Sequence, residues 1–160
     1  SEPLKCFIDP DSPEFTPPGD QPRRIAEFCR RTGQYVPQTK GEIIRCIFES
    51  LAMKYRYVVR GIEEIRGTSV PCINIVGGGT KEAPLCQLTA NACGIPVYAG
   101  PVEATAIGNL LVQAIAMGEI RDLAQAREVV RRSFEIKCYE PQGTDAFDAA
   151  YERFVSILGK

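Results

Sequence analysis

The sequence predicts an α/β fold, rich in helix and built on a small, mainly parallel sheet. Short apolar runs with β-branched residues alternate with longer stretches of helical periodicity, and strands separated by helices pair in parallel through crossover connections. Two strands are clear, over residues 70–76 and 96–99, and a sheet that small needs further packing to stand in water. With 160 residues, 44% of them apolar, the chain can build one core, so residues 1–160 are read as a single unit. Residues 1–36 form a proline-rich lead with a short helix, and residues 37–160 a long helix followed by a strand-helix core.

Each element has its own signal. Six prolines between Pro3 and Pro22 predict an extended segment hugging the surface, ordered only by what it lies on. A helix follows over Gln21 to Arg31 and closes at Thr32-Gly33. Thr39-Lys40-Gly41-Glu42 has the pattern of a capping box, a hydroxyl at the cap with a carboxylate three residues on. Behind it Ile43, Ile47, Leu51, Val58, Ile62 and Ile65 lie on one helical stripe, which predicts a single amphipathic helix ending near Gly67. Val70 to Val76 reads as a buried strand, Ala83 to Cys93 as a helix and Pro96 to Ala99 as a second strand. Helices over Val102 to Met117 and Arg121 to Ser133, an extended run at Ile136 to Tyr139 and a helix from Thr144 to Leu158 complete the chain.

Composition removes several function classes. Nineteen basic residues against 20 acidic ones leave a net charge of −1, with no electrostatic footprint for nucleic acid or an anionic membrane. No apolar run approaches the roughly 20 residues of a membrane span, and no signal-peptide pattern opens the chain. A soluble, cytoplasmic protein is expected. The opening from Ser1 reads like the middle of a longer chain, so an excised piece is expected too.

Seven cysteines occur without a Cys-x-x-Cys pair, and there is no histidine. This spacing specifies no zinc site, and the commonest general base is missing. The thiols are expected as small core residues in a reducing compartment. Cys29 closes one expected helix and Cys46 opens the next, so the two can meet if those helices form a hairpin.

The stretch Asn74-Ile75-Val76-Gly77-Gly78-Gly79-Thr80 ends an apolar strand on three glycines and leads into a helix. Glycines let the backbone approach a ligand closely, and a helix amino terminus favours negative charge, so the pattern suits a phosphate group. A tight strand-to-helix turn explains it equally well. A dinucleotide fingerprint would use Gly77 and Gly79 but needs a third glycine where Glu82 stands, and no Walker lysine follows.

The surrounding text adds a resemblance. The run VGGGT, then Gln87-Leu88, Asn91-Ala92-Cys93-Gly94-Ile95-Pro96-Val97, and Ala99 through Asn109 (AGPVEATAIGN) resemble the carboxy-terminal domain of FGGY-family carbohydrate kinases, most of all its rhamnulokinase branch. The resemblance continues upstream through Phe7-Ile8-Asp9-Pro10, Glu27-Phe28-Cys29-Arg30, the segment Arg45 to Ala52 and Tyr55. It implies part of a ribonuclease H-like, actin-like ATPase domain. It also implies transfer of the γ-phosphoryl group of ATP, with Mg2+, to the 1-hydroxyl of the ketose L-rhamnulose, by positioning and charge stabilisation.

The resemblance assigns the cofactor-binding residues Gly77, Gly78, Gly79, Thr80, Lys81 and Glu82, with the loop passing along the adenosine and inner phosphates. The family's catalytic aspartate lies upstream of the matched part, so no residue here is assigned as catalytic, none as a metal ligand, and the chain alone is expected to be inactive. Asp9, Asp11 and Glu103 are read as structural, Glu103 as the cap of the helix after Pro101.

The loop also departs from its relatives. Lys81-Glu82 stands for a Gln-Asn pair, Asn91 for an aspartate, and Pro84 and Cys86 for a leucine and a polar residue. An ionised Glu82 only accepts hydrogen bonds, and Pro84 is expected to delay the start of its helix. The alternative is an interaction module that kept the kinase-domain fold and lost its nucleotide. Because so small a sheet implies that strands are missing or that a partner completes the core, apolar surface seeking a partner is expected, carried by the long helix from Thr39 to Gly67, with self-association as its consequence.

Overall fold

In the computed structural model, which describes residues 1–159, helices dominate. In chain order they are α1 (Gln21–Arg31), α2 (Lys40–Arg66), α3 (Ala83–Cys93), α4 (Ala104–Ala116), α5 (Leu123–Ser133) and α6 (Thr144–Val155). The strands are β1 (Ile73–Ile75), β2 (Val97–Ala99) and β3 (Lys137–Tyr139), and two turns of 3₁₀ helix stand at Pro13–Phe15 and Gly77–Lys81. The bounds of α1 and α3 coincide with those the sequence predicts. α2 runs from its predicted cap to Gly67, and the other elements lie within the expected ranges, each trimmed by one to a few residues at one end or both.

The capping box at α2 forms as expected. The Glu42 amide donates to Thr39 Oγ1 at 3.2 Å, and the Thr39 amide donates to Glu42 Oε2 at 3.0 Å, so two orphan donors are satisfied reciprocally. At the other end Gly67 takes a left-handed φ of 66° and its amide returns to the Glu63 carbonyl at 2.8 Å.

β1 and β2 run parallel through the α3 crossover, with Ile73 opposite Val97, Asn74 opposite Tyr98 and Ile75 opposite Ala99. β3 adds to the free edge of β2 antiparallel, with Val97 opposite Tyr139 and Ala99 opposite Lys137, so the sheet is mixed in the order β1-β2-β3. One sheet face packs on α3 through Cys86 and Ala90, a small cluster completed by Val97 and Ala99.

The main core lies elsewhere, between α1, α2 and α6. The proline-rich lead enters it instead of hugging the surface: Cys6, Phe7 and Ile8 are buried with Ile25, Phe28, Cys46, Met53 and Phe154. Apolar side chains between Leu4 and Ile8 have more to gain from burial than the flanking prolines have to lose. Gln34 bridges the backbone of this segment, accepting from the Phe7 amide at 2.9 Å and donating to the Phe7 carbonyl at 2.8 Å. The Ile8 amide donates to Ser50 Oγ at 2.9 Å, so a strand-like segment without a strand partner still has its polar groups paired.

Candidate functional site

The glycine segment sits where β1 and β2 end side by side, and loops at the carboxyl ends of adjacent parallel strands are where α/β folds hold ligands. Val76 leaves β1 extended, and Gly77 then turns with φ 76°, a conformation that favours glycine. The Gly77 amide donates to the Pro101 carbonyl at 3.3 Å and the Gly100 amide to the Ile75 carbonyl at 2.9 Å, so the loops after the two strands are tied together. Gly100, at φ 134°, has no room for a side chain, because a Cβ there would lie 3.0 Å from the Glu135 carbonyl oxygen.

Gly77 to Lys81 wind into one turn of 3₁₀ helix, a feature with no signal in the sequence. Thr80 Oγ1 donates to the Gly77 carbonyl at 2.8 Å, and the Glu82 amide to the Gly79 carbonyl at 3.2 Å. A Cβ on Gly79 would touch Ile75 Cγ2 at 3.4 Å, whereas a Cβ on Gly78 would meet nothing within 4 Å. Gly78, Gly79, Lys81 and Glu82 are solvent-exposed, and Lys81 makes no ion pair among the described residues.

Pro84 does not delay α3, contrary to the sequence expectation. It occupies the second helical position, where a missing amide proton costs no intrahelical bond and the fixed φ suits the helix. The consequence is one amide donor fewer in the turn that faces the loop. Asn91 has a structural use: its Oδ1 accepts from Gln87 Nε2 at 2.8 Å and from the Gln142 amide at 2.9 Å, which ties α3 to the chain after β3.

A cleft of about 640 Å3 opens beside the loop, between the strand ends and helices α4 and α5. Its walls include Val76, Gly100, Pro101, Leu111, Arg127 and Arg131, and its volume falls within the usual range for ligand sites. It touches the loop at Val76, and none of Gly77 to Glu82 lines it.

The carboxylates considered from the sequence stand apart from this region. Asp9 is buried, accepts from Lys54 Nζ at 3.1 Å and from the amides of Gly159 and Asp11 at 3.2 Å each, and so ties the lead to α2 and the chain end. Burial opposes ionisation of Asp9, but the Gly159 amide, Lys54 and the Asp11 amide outweigh it and hold its carboxyl below the usual range. Asp11 lies 2.9 Å from the same lysine. Glu103 stands at the cap position of α4, but its side chain makes no capping hydrogen bond.

The α1–α2 hairpin brings Cys29 and Cys46 together as their positions allow, and Cys6 from the lead joins them. All three thiols are free and buried, with their sulfurs within 4.8 Å of one another. Sequence reasoning missed Cys6 because nothing local reports that the lead runs through the core.

Residues 1–117 match the FGGY family of carbohydrate kinases, C-terminal domain. The chain belongs to that family. Among curated relatives it is 47% identical over 157 residues to the rhamnulokinase of Bacteroides thetaiotaomicron, covering 98% of this chain and 32% of that protein. It is 42% identical over 145 residues to the rhamnulokinase of Bacillus subtilis, covering 91% of this chain and 30% of the relative. The chain thus spans about a third of the length of these FGGY proteins. Among solved structures, the xylulose kinase of Rhodospirillum rubrum superposes with a TM-score of 0.59 over 78% of this chain and 25% of its own, at 22% identity, a likeness of fold. The α/β arrangement described above is accordingly that of the carboxy-terminal, actin-like domain of FGGY kinases. No helix among the described residues is long and apolar enough to cross a membrane.

Proposed function

We propose that this chain is the carboxy-terminal nucleotide lobe of a rhamnulokinase-type enzyme, which transfers the γ-phosphoryl group of ATP to the 1-hydroxyl of L-rhamnulose. The observation that carries the reading is the match of nearly all of this chain to about a third of each rhamnulokinase, at 35–47% identity, together with the tied pair of loops where β1 and β2 end.

In this reading Gly77, Gly78, Gly79 and Thr80 pass along the inner phosphates, and Lys81 and Glu82 meet the adenosine. The exposed backbone at Gly78, with open space where a side chain would be, suits a close approach by an anion. ATP supplies the transferred group. What this chain contributes is position: a loop held at both ends by backbone hydrogen bonds.

Mg2+ is a different matter. Among the described residues the one group of three metal-capable side chains is made of cysteines, whose soft sulfurs do not suit a hard, oxygen-seeking ion. Mg2+ would therefore be held by the phosphates and by groups outside this chain. The catalytic base is likewise assigned outside it, and this chain alone is expected to give no rhamnulose phosphorylation.

Calorimetry of the intact protein with magnesium ATP tests the proposal: saturable binding, weakened by Gly78→Val or Gly79→Val, is expected. Pro84, which deprives the first turn of α3 of a donor, favours a second reading, an interaction module with this fold and no nucleotide. Absence of ATP binding by the intact protein would select that reading.

A further inference from the structure

Cys6, Cys29 and Cys46 come from three separate elements, the lead, α1 and α2, and none is more than 4% exposed. Because the three sulfurs lie within 4.8 Å of one another, a point central to them lies no more than about 2.8 Å from each, against ~2.3 Å for a zinc–thiolate bond. Side-chain adjustment of about half an ångström would therefore close the three on one centre. Beside Cys6 and Cys46 a recess of about 10 Å3 reaches the surface between Lys5, Glu42, Arg45 and Glu49. That is the space of roughly one water molecule, so it admits an ion or a very small solute and no organic ligand.

We propose that Cys6, Cys29 and Cys46 form a three-thiolate site for a soft trivalent ion of the arsenite class. Charge decides the ion. Three thiolates around a divalent zinc would leave a net negative charge, and around copper(I) a larger one, buried among Phe7, Phe28 and Met53. The nearby charges do not offset it, since Lys5 is paired with Glu2 and Arg45 with Glu49, and Glu42 adds a further negative charge. Zinc would also require a fourth ligand, and with no histidine in the chain a carboxylate from the recess, Glu42 or Glu49, would add still more negative charge.

Trivalent arsenic meets both conditions, because its tris-thiolate is neutral and three-coordinate. Arsenous acid enters uncharged. Each thiol proton leaves with one hydroxyl as water, three As–O bonds are replaced by three As–S bonds, and no oxidation state changes.

The test is native mass spectrometry of the reduced intact protein titrated with sodium arsenite, with circular dichroism confirming that each variant stays folded. The expected product gains one arsenic and loses three protons. Cys6→Ala should bind through two thiols, keep one hydroxyl on arsenic, and bind at least about tenfold more weakly, since one tethered ligand is lost. Cys46→Ser is the second variant, with the same expectation, and Cys138→Ser, at an exposed thiol remote from the site, should bind like the parent. A parent adduct that retains a hydroxyl, a Cys6→Ala variant or a Cys46→Ser variant as tight as the parent, loss of binding in Cys138→Ser, or no uptake by the folded reduced protein would each overturn the proposal.

Discussion

Phe7 stands edge-on to Phe154, their ring centroids 5.7 Å apart and the planes at 84°, so the seventh residue of the chain is packed against its last helix. Both rings are fully buried, and Arg153 covers the open side of Phe7 with its guanidinium 5.1 Å from the ring centre. The contact closes the main core from its two ends. Phe154→Ala should cost roughly 3–5 kcal/mol, the range for deleting a buried aromatic ring. Thermal denaturation followed by circular dichroism reads it; a loss below about 1 kcal/mol would show that α6 is not part of the cooperative core.

At the glycine loop the structure separates folding from binding. Gly77→Ala forces a left-handed φ on a residue with a side chain and should destabilise by roughly 1–2 kcal/mol. Gly78→Ala meets no neighbour and should leave stability unchanged, while weakening ATP binding by the intact protein, because in the proposed reading the phosphates would pass through the open space that its methyl group would fill. Equal ATP affinity in Gly78→Ala and the parent, by calorimetry, would remove the phosphate from this loop.

The capping box gives a pH dependence. Amide donation from Gln38 first, then the Tyr35 hydroxyl and the Thr39 groups, bring the Glu42 carboxyl down to about 2. A depressed carboxyl contributes stability that is complete above its unfolded value near 4.3 and is lost as pH falls from there towards about 2. Thr39→Ala should cost ~1 kcal/mol at neutral pH, and Glu42→Gln should flatten that acid limb. An unaltered acid limb in Glu42→Gln, by denaturant titration across pH, would refute the assignment.

Exposed apolar side chains lie on the long helix, where the sequence places them, and also on α4 and the turn after it. α4 has no buried residue, and Leu110, Val112 and Met117 are each at least 67% exposed, with Leu123 at 58%. α2 carries Ile44, Tyr55, Tyr57, Val58 and Ile62, each 39–52% exposed, and Ile65, 90% exposed, at its far end. This chain is expected to self-associate, and Leu110→Glu with Met117→Glu to reduce that association. Light scattering across a concentration series decides; a strictly monomeric parent would count against it.

Much of this protein was legible in order along the chain. The capping box at Thr39, the glycine stop at Gly67 and the period of the apolar residues between them set α2, because helix ends and faces are decided by side chains within a few residues of each other. The strand-glycine-helix pattern at Asn74 to Ala83 marked the candidate loop for the same reason. What the sequence left open was decided by contacts between distant segments. The 3₁₀ turn at Gly77 to Lys81 has no local pattern of its own and follows the strand ends, where Pro101 holds Gly77. The antiparallel edge strand β3, the burial of Phe7 and Ile8 and the meeting of Cys6 with Cys29 and Cys46 depend on residues that packing alone brings together. Local chemistry chose the helices and the loop; burial of apolar surface from both ends of the chain chose how they meet.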